Sequence, residues 1–119
     1  MKTVDVVDFL DQEREVAEFY VLVRELKLFL DVGHDRYHPS IRVKIYRTLL
    51  NDSEMYSFDV SHHVHGPEQA GPYYPSRTTE DSEREAISRA ISTTTSFIRS
   101  AINAGHEPSD KWLVSNELF

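Results

Sequence analysis

Apolar residues recur at helical spacing in the last third of the chain: Ile87, Ala90, Ile91, Thr94, Ile98, Ala101 and Ile102. This spacing gives one apolar stripe that must be buried against another element. Ser82 and Glu85 form a capping-box pattern before the stripe, and Gly105 followed by Pro108 supplies a stop signal. The pattern therefore predicts a long helix over about 80–104.

Apolar and polar residues alternate in two runs near the middle of the chain, with Ile41, Val43, Ile45 and Leu49 in the first and Tyr56, Phe58, Val60 and Val64 in the second. Alternation with period two is typical of half-buried strands. It predicts strands over about 41–50 and 55–65, joined by a turn at 51–54. In this register Ile45 lies opposite Val60, and the apolar residues of both strands share one face of the sheet.

Two patterns compete in the segment 19–30. A helical stripe would contain Phe19, Val23, Leu26 and Leu30, whereas a strand face would contain Leu22, Leu26, Leu28 and Leu30. We favour the strand, because aromatic and β-branched residues begin the segment and a two-stranded hairpin is only marginally stable alone. Towards the ends, Val4, Val7 and Leu10 indicate a short N-terminal helix, and Trp112–Val114 fits either a short edge strand or a plug for the core.

Together these elements predict a single α+β domain over residues 1–119, which is a usual length for one hydrophobic core. A three-stranded antiparallel sheet, at about 19–30, 41–50 and 55–65, is covered on one face by the long C-terminal helix at about 80–104. A short N-terminal helix precedes the sheet.

Composition narrows the functional classes. The chain has no cysteine, which excludes disulfides, thiolate metal sites and a cysteine nucleophile and suits a reducing compartment. No apolar run approaches the ~20 residues that a membrane span needs, so we expect a cytoplasmic location and no membrane partner. The net charge of -7, from 13 Lys and Arg against 20 Asp and Glu, opposes attraction to nucleic acid.

The order helix, three strands, helix is shared with double-stranded-RNA-binding domains, among others. Those domains present lysines at the start of the last helix, where they reach phosphates. This chain instead has the acidic segment Thr79–Glu83 at that place. We therefore expect no nucleic-acid partner, and the order of elements alone indicates no function.

Histidines form two short clusters, with His34 and His38 in the first and His62, His63 and His65 in the second. Hairpin pairing would bring both clusters to one edge of the sheet. His63 and His65 would then point to one face, and His34, His38 or Glu68 could complete a three-ligand site for a divalent metal. The spacing is similar to the H-x-H…E pattern of cupin metal sites. One alternative is therefore a metal-dependent, hydrolase-like enzyme. The others are that these histidines are structural or incidental, that they have a pH-sensitive or general-base role, or that they contact a partner.

Aromatic residues are concentrated in a proline-rich stretch at 66–77. Tyr73, Tyr74 and Arg77 are of types enriched where proteins bind partners, although the tyrosines could equally pack the stretch onto the sheet. Motifs such as the P-loop, G-x-G-x-x-G and G-x-S-x-G are absent. The sequence therefore favours a small binding or regulatory module that acts through protein–protein contacts or self-association, and leaves open whether the chain is an enzyme.

Overall fold

The computed structural model describes residues 1–119, which form two helices and two antiparallel sheets. The elements in chain order are α1 (Thr3–Asp11), β1 (Val21–Phe29), β2 (Ser40–Leu50), β3 (Ser53–Val60), β4 (His62–Val64), β5 (Thr79–Glu80), α2 (Glu83–Asn103) and β6 (Leu113–Ser115). The main sheet has the strand order β1-β2-β3-β5, and β4 pairs with β6 in a small sheet. Neither helix is both long and apolar enough to cross a membrane.

The core lies between the main sheet and α2, as the α+β prediction required. Its sheet side contains Ile41, Val43, Ile45, Phe58 and Val60, and its helix side contains Ala86, Ala90, Ile98 and Ala101. The small alanine side chains let the helix approach the strands closely. Thr94 is also buried, and its hydroxyl donates to the carbonyl oxygen of Ala90, so the polar group is satisfied inside the core.

The long helix begins later than predicted, at Glu83. The Ser82 hydroxyl accepts a hydrogen bond from the Glu85 N–H, as expected of the N-cap. Just before it, Thr79 and Glu80 form β5, a fourth strand that pairs with β3 and was not predicted. Two residues are too few for a periodic signal, so this strand could be recognised only from its partner.

The turn between β2 and β3 is tighter than predicted. Asn51 and Asp52 both adopt left-handed backbone angles, with φ of 51° and 63°, and β3 already begins at Ser53. Ile45 therefore lies opposite Phe58, and the predicted pairing with Val60 is wrong by two residues. Because side chains alternate with period two, a two-residue shift leaves the same residues facing the core.

The predicted strand at 55–65 is interrupted at Ser61. The Ser61 hydroxyl accepts the Arg42 N–H at 2.7 Å, while the Ser61 N–H donates to the Arg42 carbonyl oxygen at 2.9 Å. Beyond this point β4 leaves the main sheet and pairs with β6, so Val64 lies opposite Leu113. The segment at Trp112 serves both predicted roles, since the indole is buried in the core and the next residues form the strand.

The segment at 19–30 forms a strand, β1, as favoured. Its register is irregular between Leu22 and Arg24, where a bulge occurs. The bulge turns Val23 towards the core and leaves Leu22 exposed, so Leu22 was wrongly assigned to the buried face.

The left-handed turn gives a direct test of the observed register. Replacing Asp52 by valine is expected to lower the free energy of unfolding by about 1–2 kcal/mol, because a β-branched residue is strained at positive φ. Replacing Asp52 by glycine should cost nothing or stabilise the hairpin. Urea unfolding of the two variants measures the difference, and equal stabilities would contradict the two-residue turn.

Candidate functional site

The histidine clusters do not form the predicted metal site. No group of three or more His, Cys, Asp or Glu side chains is arranged to hold a metal ion. Three of the five residues proposed as ligands have separate hydrogen-bond partners. His34 Nδ1 accepts the Arg36 N–H, His65 Nε2 donates to the Gln69 carbonyl oxygen, and Glu68 accepts from His106.

The break at Ser61 explains this outcome. The prediction required β3 to run straight through His63 and His65 beside the loop that contains His34 and His38. Because β4 instead joins β6, His62 is the histidine that lines a surface pocket together with His38. His62 Nδ1 lies 2.8 Å from the Ser61 hydroxyl and so has a partner within its own segment.

A different surface brings the chemistry-bearing residues together. We call it the Tyr74 groove, a pocket of about 290 Å³ whose lining includes Asp59, His63, Tyr74, Asn116 and Leu118. These residues come from β3, β4, the proline-rich stretch and the segment after β6. The apolar part of the lining is completed by Phe58, Val60 and Pro75.

The two adjacent tyrosines have different environments. Tyr73 is half-buried, its ring lies 4.6 Å from the Phe97 ring of α2, and its N–H donates to the Val64 carbonyl oxygen. Tyr74 is 65% exposed, and its ring centroid lies 4.5 Å from that of His63. Of the two alternatives for these rings, packing therefore describes Tyr73, while Tyr74 is free to contact a partner.

Arg77 is exposed but engaged within the chain. Its Nε donates to the Thr79 carbonyl oxygen at 3.0 Å, and its guanidinium also pairs with Glu80. The buried Glu80 carboxylate accepts a second bond, at 2.9 Å, from Arg89 of α2. Arg77 is thus held within its own segment, while Arg89 joins Glu80 of β5 to the long helix. A role for Arg77 in binding stays a prediction.

Asp59 supplies the carboxylate of the Tyr74 groove, and it has no ion pair within 4.0 Å. The six ion pairs of the chain are Arg24–Glu83, Arg42–Glu25, Arg47–Glu54, Arg77–Glu80, Arg89–Glu80 and His106–Glu68. Its cross-strand neighbour is Lys44, whose ammonium group donates to the Phe119 carbonyl oxygen and lies 4.2 Å from the Phe119 ring centroid. The carboxylate therefore stays available to a cation from outside.

Neighbouring groups add to this electrostatic character. Asp59 also lines a second pocket, of about 450 Å³, together with Tyr20 and Tyr46. Burial, with a further contribution from Asp59, raises the pKa of Tyr46 above its ordinary value. Burial lowers the pKa of His63 from its ordinary value, which favours the neutral imidazole over a charge that would oppose a cation.

The segment after β6 lies against the edge of the main sheet. The Asn116 side chain donates to the Val60 carbonyl oxygen at 2.9 Å, and its N–H donates to the Ser61 carbonyl oxygen at 2.8 Å. These bonds place Leu118 in the lining of the groove. No periodic pattern in the sequence indicated Asn116 or Leu118, whereas the alternation of β3 did indicate that Asp59 lies on its polar face.

Comparison of the chain with protein families, with curated proteins and with solved structures found no match. The Tyr74 groove offers an exposed aromatic ring, apolar walls and one carboxylate without an ion pair. Such an arrangement can hold an apolar group and a cation side by side.

Proposed function

We propose that this chain is a protein-binding module and that the Tyr74 groove is its recognition surface. The observation that carries the proposal is the Tyr74 ring, which is 65% exposed although it is fixed beside the His63 ring and a pocket. Large amphipathic rings at the centre of an apolar patch are the usual anchors of protein interfaces.

The groove suits a segment of a partner protein that carries a basic side chain next to an apolar one. Its volume of about 290 Å³ is at the lower limit for a small-molecule pocket, and it can accept one or two side chains. Asp59 would pair with the basic group, whose charge can also rest on the face of Tyr74. The net charge of -7 would accelerate the approach of such a basic partner.

Stiffness of the Tyr74 segment favours binding. Pro72 and Pro75 flank the tyrosines and restrict the backbone, and Tyr73 is anchored on Phe97. A surface that is ordered before binding loses less conformational entropy when a partner docks. The packing of Tyr73 on Phe97 therefore increases the affinity of the groove, although Tyr73 itself does not touch the partner.

The module is proposed to act in the cytoplasm, without a membrane or nucleic-acid partner. The lack of cysteine suits a reducing compartment, and the acidic balance disfavours polyanions. The metal-dependent enzyme has no comparable support, because no group of three ligand-competent side chains is arranged to hold a metal, and His34 and His65 have separate partners.

Selection from a displayed library of random peptides tests this function. We expect wild-type protein to enrich peptides with Lys or Arg beside an apolar residue. Replacing Tyr74 by alanine should weaken the selected peptides about 30-fold, or about 2 kcal/mol, because the ring is the anchor. Replacing Asp59 by asparagine should weaken them less and reduce the salt dependence of binding.

Circular dichroism would confirm that both variants are folded. Fluorescence anisotropy with one synthetic peptide gives the affinities. Peptides that bind wild type and Tyr74→Ala equally would place recognition elsewhere, and a library that yields no basic peptide would contradict the proposed partner class.

A further inference from the structure

A second surface of the chain, far along the main sheet from β5, is an open strand edge. The strand order β1-β2-β3-β5 leaves β1 paired on one side only. Outside the helices and sheets, no backbone hydrogen bond involves Val21–Phe29, so the outer N–H and C=O groups of β1 have no backbone partner beyond β2. A nine-residue edge of this kind can pair with another strand.

The core is also incompletely closed at this edge. Leu26 and Leu28 of β1 pack against the core but are only half-buried, whereas the residues opposite them on β2, Val43 and Ile41, are fully buried. On the other face of β1, Phe29 is largely exposed. A strand added beside β1 would therefore bury apolar surface in addition to forming hydrogen bonds.

The charges on β1 select a partner strand. In an antiparallel pair of two β1 strands centred on Leu26, Glu25 of each copy lies opposite Lys27 of the other. Moving the centre by one residue instead places Glu25 opposite Glu25, or Lys27 opposite Lys27, and like charges directly opposite each other destabilise a pair. The sequence around Leu26 is thus self-complementary in one register.

We propose that this chain forms a homodimer in which β1 pairs with β1 of a second copy, antiparallel and centred on Leu26. The two main sheets then become one continuous sheet with a two-fold axis. The bulge between Leu22 and Arg24 limits the pairing to about Arg24–Leu28, so the association is weak. It is independent of the Tyr74 groove, which lies beside β3.

Lys27 can both discourage pairing with unrelated strands and permit pairing with a second copy of β1. A lysine on an edge strand ordinarily discourages indiscriminate pairing, because its charge would be placed against an apolar or basic neighbour. The same lysine is accepted where the incoming strand offers a glutamate. Glu25 is held on the outer face by Arg42, whose guanidinium lies 3.0 Å from its carboxylate.

Sedimentation equilibrium of the full chain over a range of concentrations tests the dimer. Wild type should associate reversibly, and Glu25→Lys or Lys27→Glu alone should weaken association at least about tenfold. The double variant with both exchanges should recover it. An equimolar mixture of the two single variants should also associate, since lysines on one strand then face glutamates on the other.

Arg42→Gln is the matched control, because it removes the same ion pair within the chain as Glu25→Lys but leaves the charges of β1 unchanged. It should weaken association far less than Glu25→Lys does, because Glu25 still lies opposite Lys27 of the second copy, and circular dichroism should show all variants folded. A wild-type chain that stays monomeric would overturn the proposal. So would a dimer whose affinity in both single variants equals that of wild type, because its interface would then lie away from β1.

Discussion

Replacing Phe58 by alanine is expected to destabilise this protein by about 3–5 kcal/mol. Phe58 lies in the middle of β3, opposite Ile45, and is 1% exposed. Alanine would lose the transfer free energy of the ring and leave a cavity that the sheet and α2 cannot fill. The midpoint and slope of urea unfolding measure this loss.

Phe9→Ala is the control for this prediction, because Phe9 lies on α1 and is 55% exposed. Its cost should stay within about 0.5 kcal/mol. If Phe58→Ala does not fold, Phe58→Leu keeps much of the volume and should show a smaller loss. Comparable costs at Phe58 and Phe9 would contradict the assignment of the core face.

A second large loss of stability, about 3–5 kcal/mol, is expected for Trp112→Ala. The indole is 7% exposed and belongs to the main core, while the Trp112 carbonyl oxygen accepts the His65 N–H at 2.8 Å. Trp112 therefore anchors β6, and with it the segment that carries Asn116. Urea unfolding measures the stability, and hydrogen exchange of β4 and β6 should accelerate more than that of β2.

Leu118→Ala provides the contrast, because Leu118 is 91% exposed and yet lines the Tyr74 groove. It should leave the stability unchanged within about 0.5 kcal/mol and weaken the selected peptides. Trp112→Ala should weaken them too, under conditions in which the protein remains folded. Unchanged peptide binding in Trp112→Ala would show that the groove does not depend on the anchoring of β6.

The elements with long, regular patterns could be predicted from sequence. The stripe of α2 and the alternation of β2 and β3 are local signals, and they identified the face of each element that is buried. Predicting the register of the β2–β3 hairpin required knowing which residues form the turn, and Asn51, Asp52 and Ser53 are all of types common in turns. The useful signal was the pair Asn51 and Asp52, both of which tolerate the left-handed conformation of a two-residue hairpin turn.

The candidate site was less accessible to such reasoning. Residue type indicated the tyrosine pair as a candidate, but only the position of Phe97 shows that Tyr73 is the packed ring and Tyr74 the exposed one. The prediction of a metal site was wrong because it assumed one unbroken strand through Ser61. Asn116 joins the groove through hydrogen bonds to residues distant in sequence, and no local pattern encodes contacts of that kind.

The pairing of β4 with β6 has a consequence for the order of folding. The β2–β3 hairpin joins neighbouring residues and can close quickly, whereas β4 and β6 are separated by a long stretch of chain that contains α2. Closing that long loop carries a larger entropic cost, so the small sheet is expected to form late and to open first. Since β4 carries His63, the Tyr74 groove would form only when the small sheet closes and would be lost when that sheet opens. A bound partner would therefore stabilise the part of the chain that folds last.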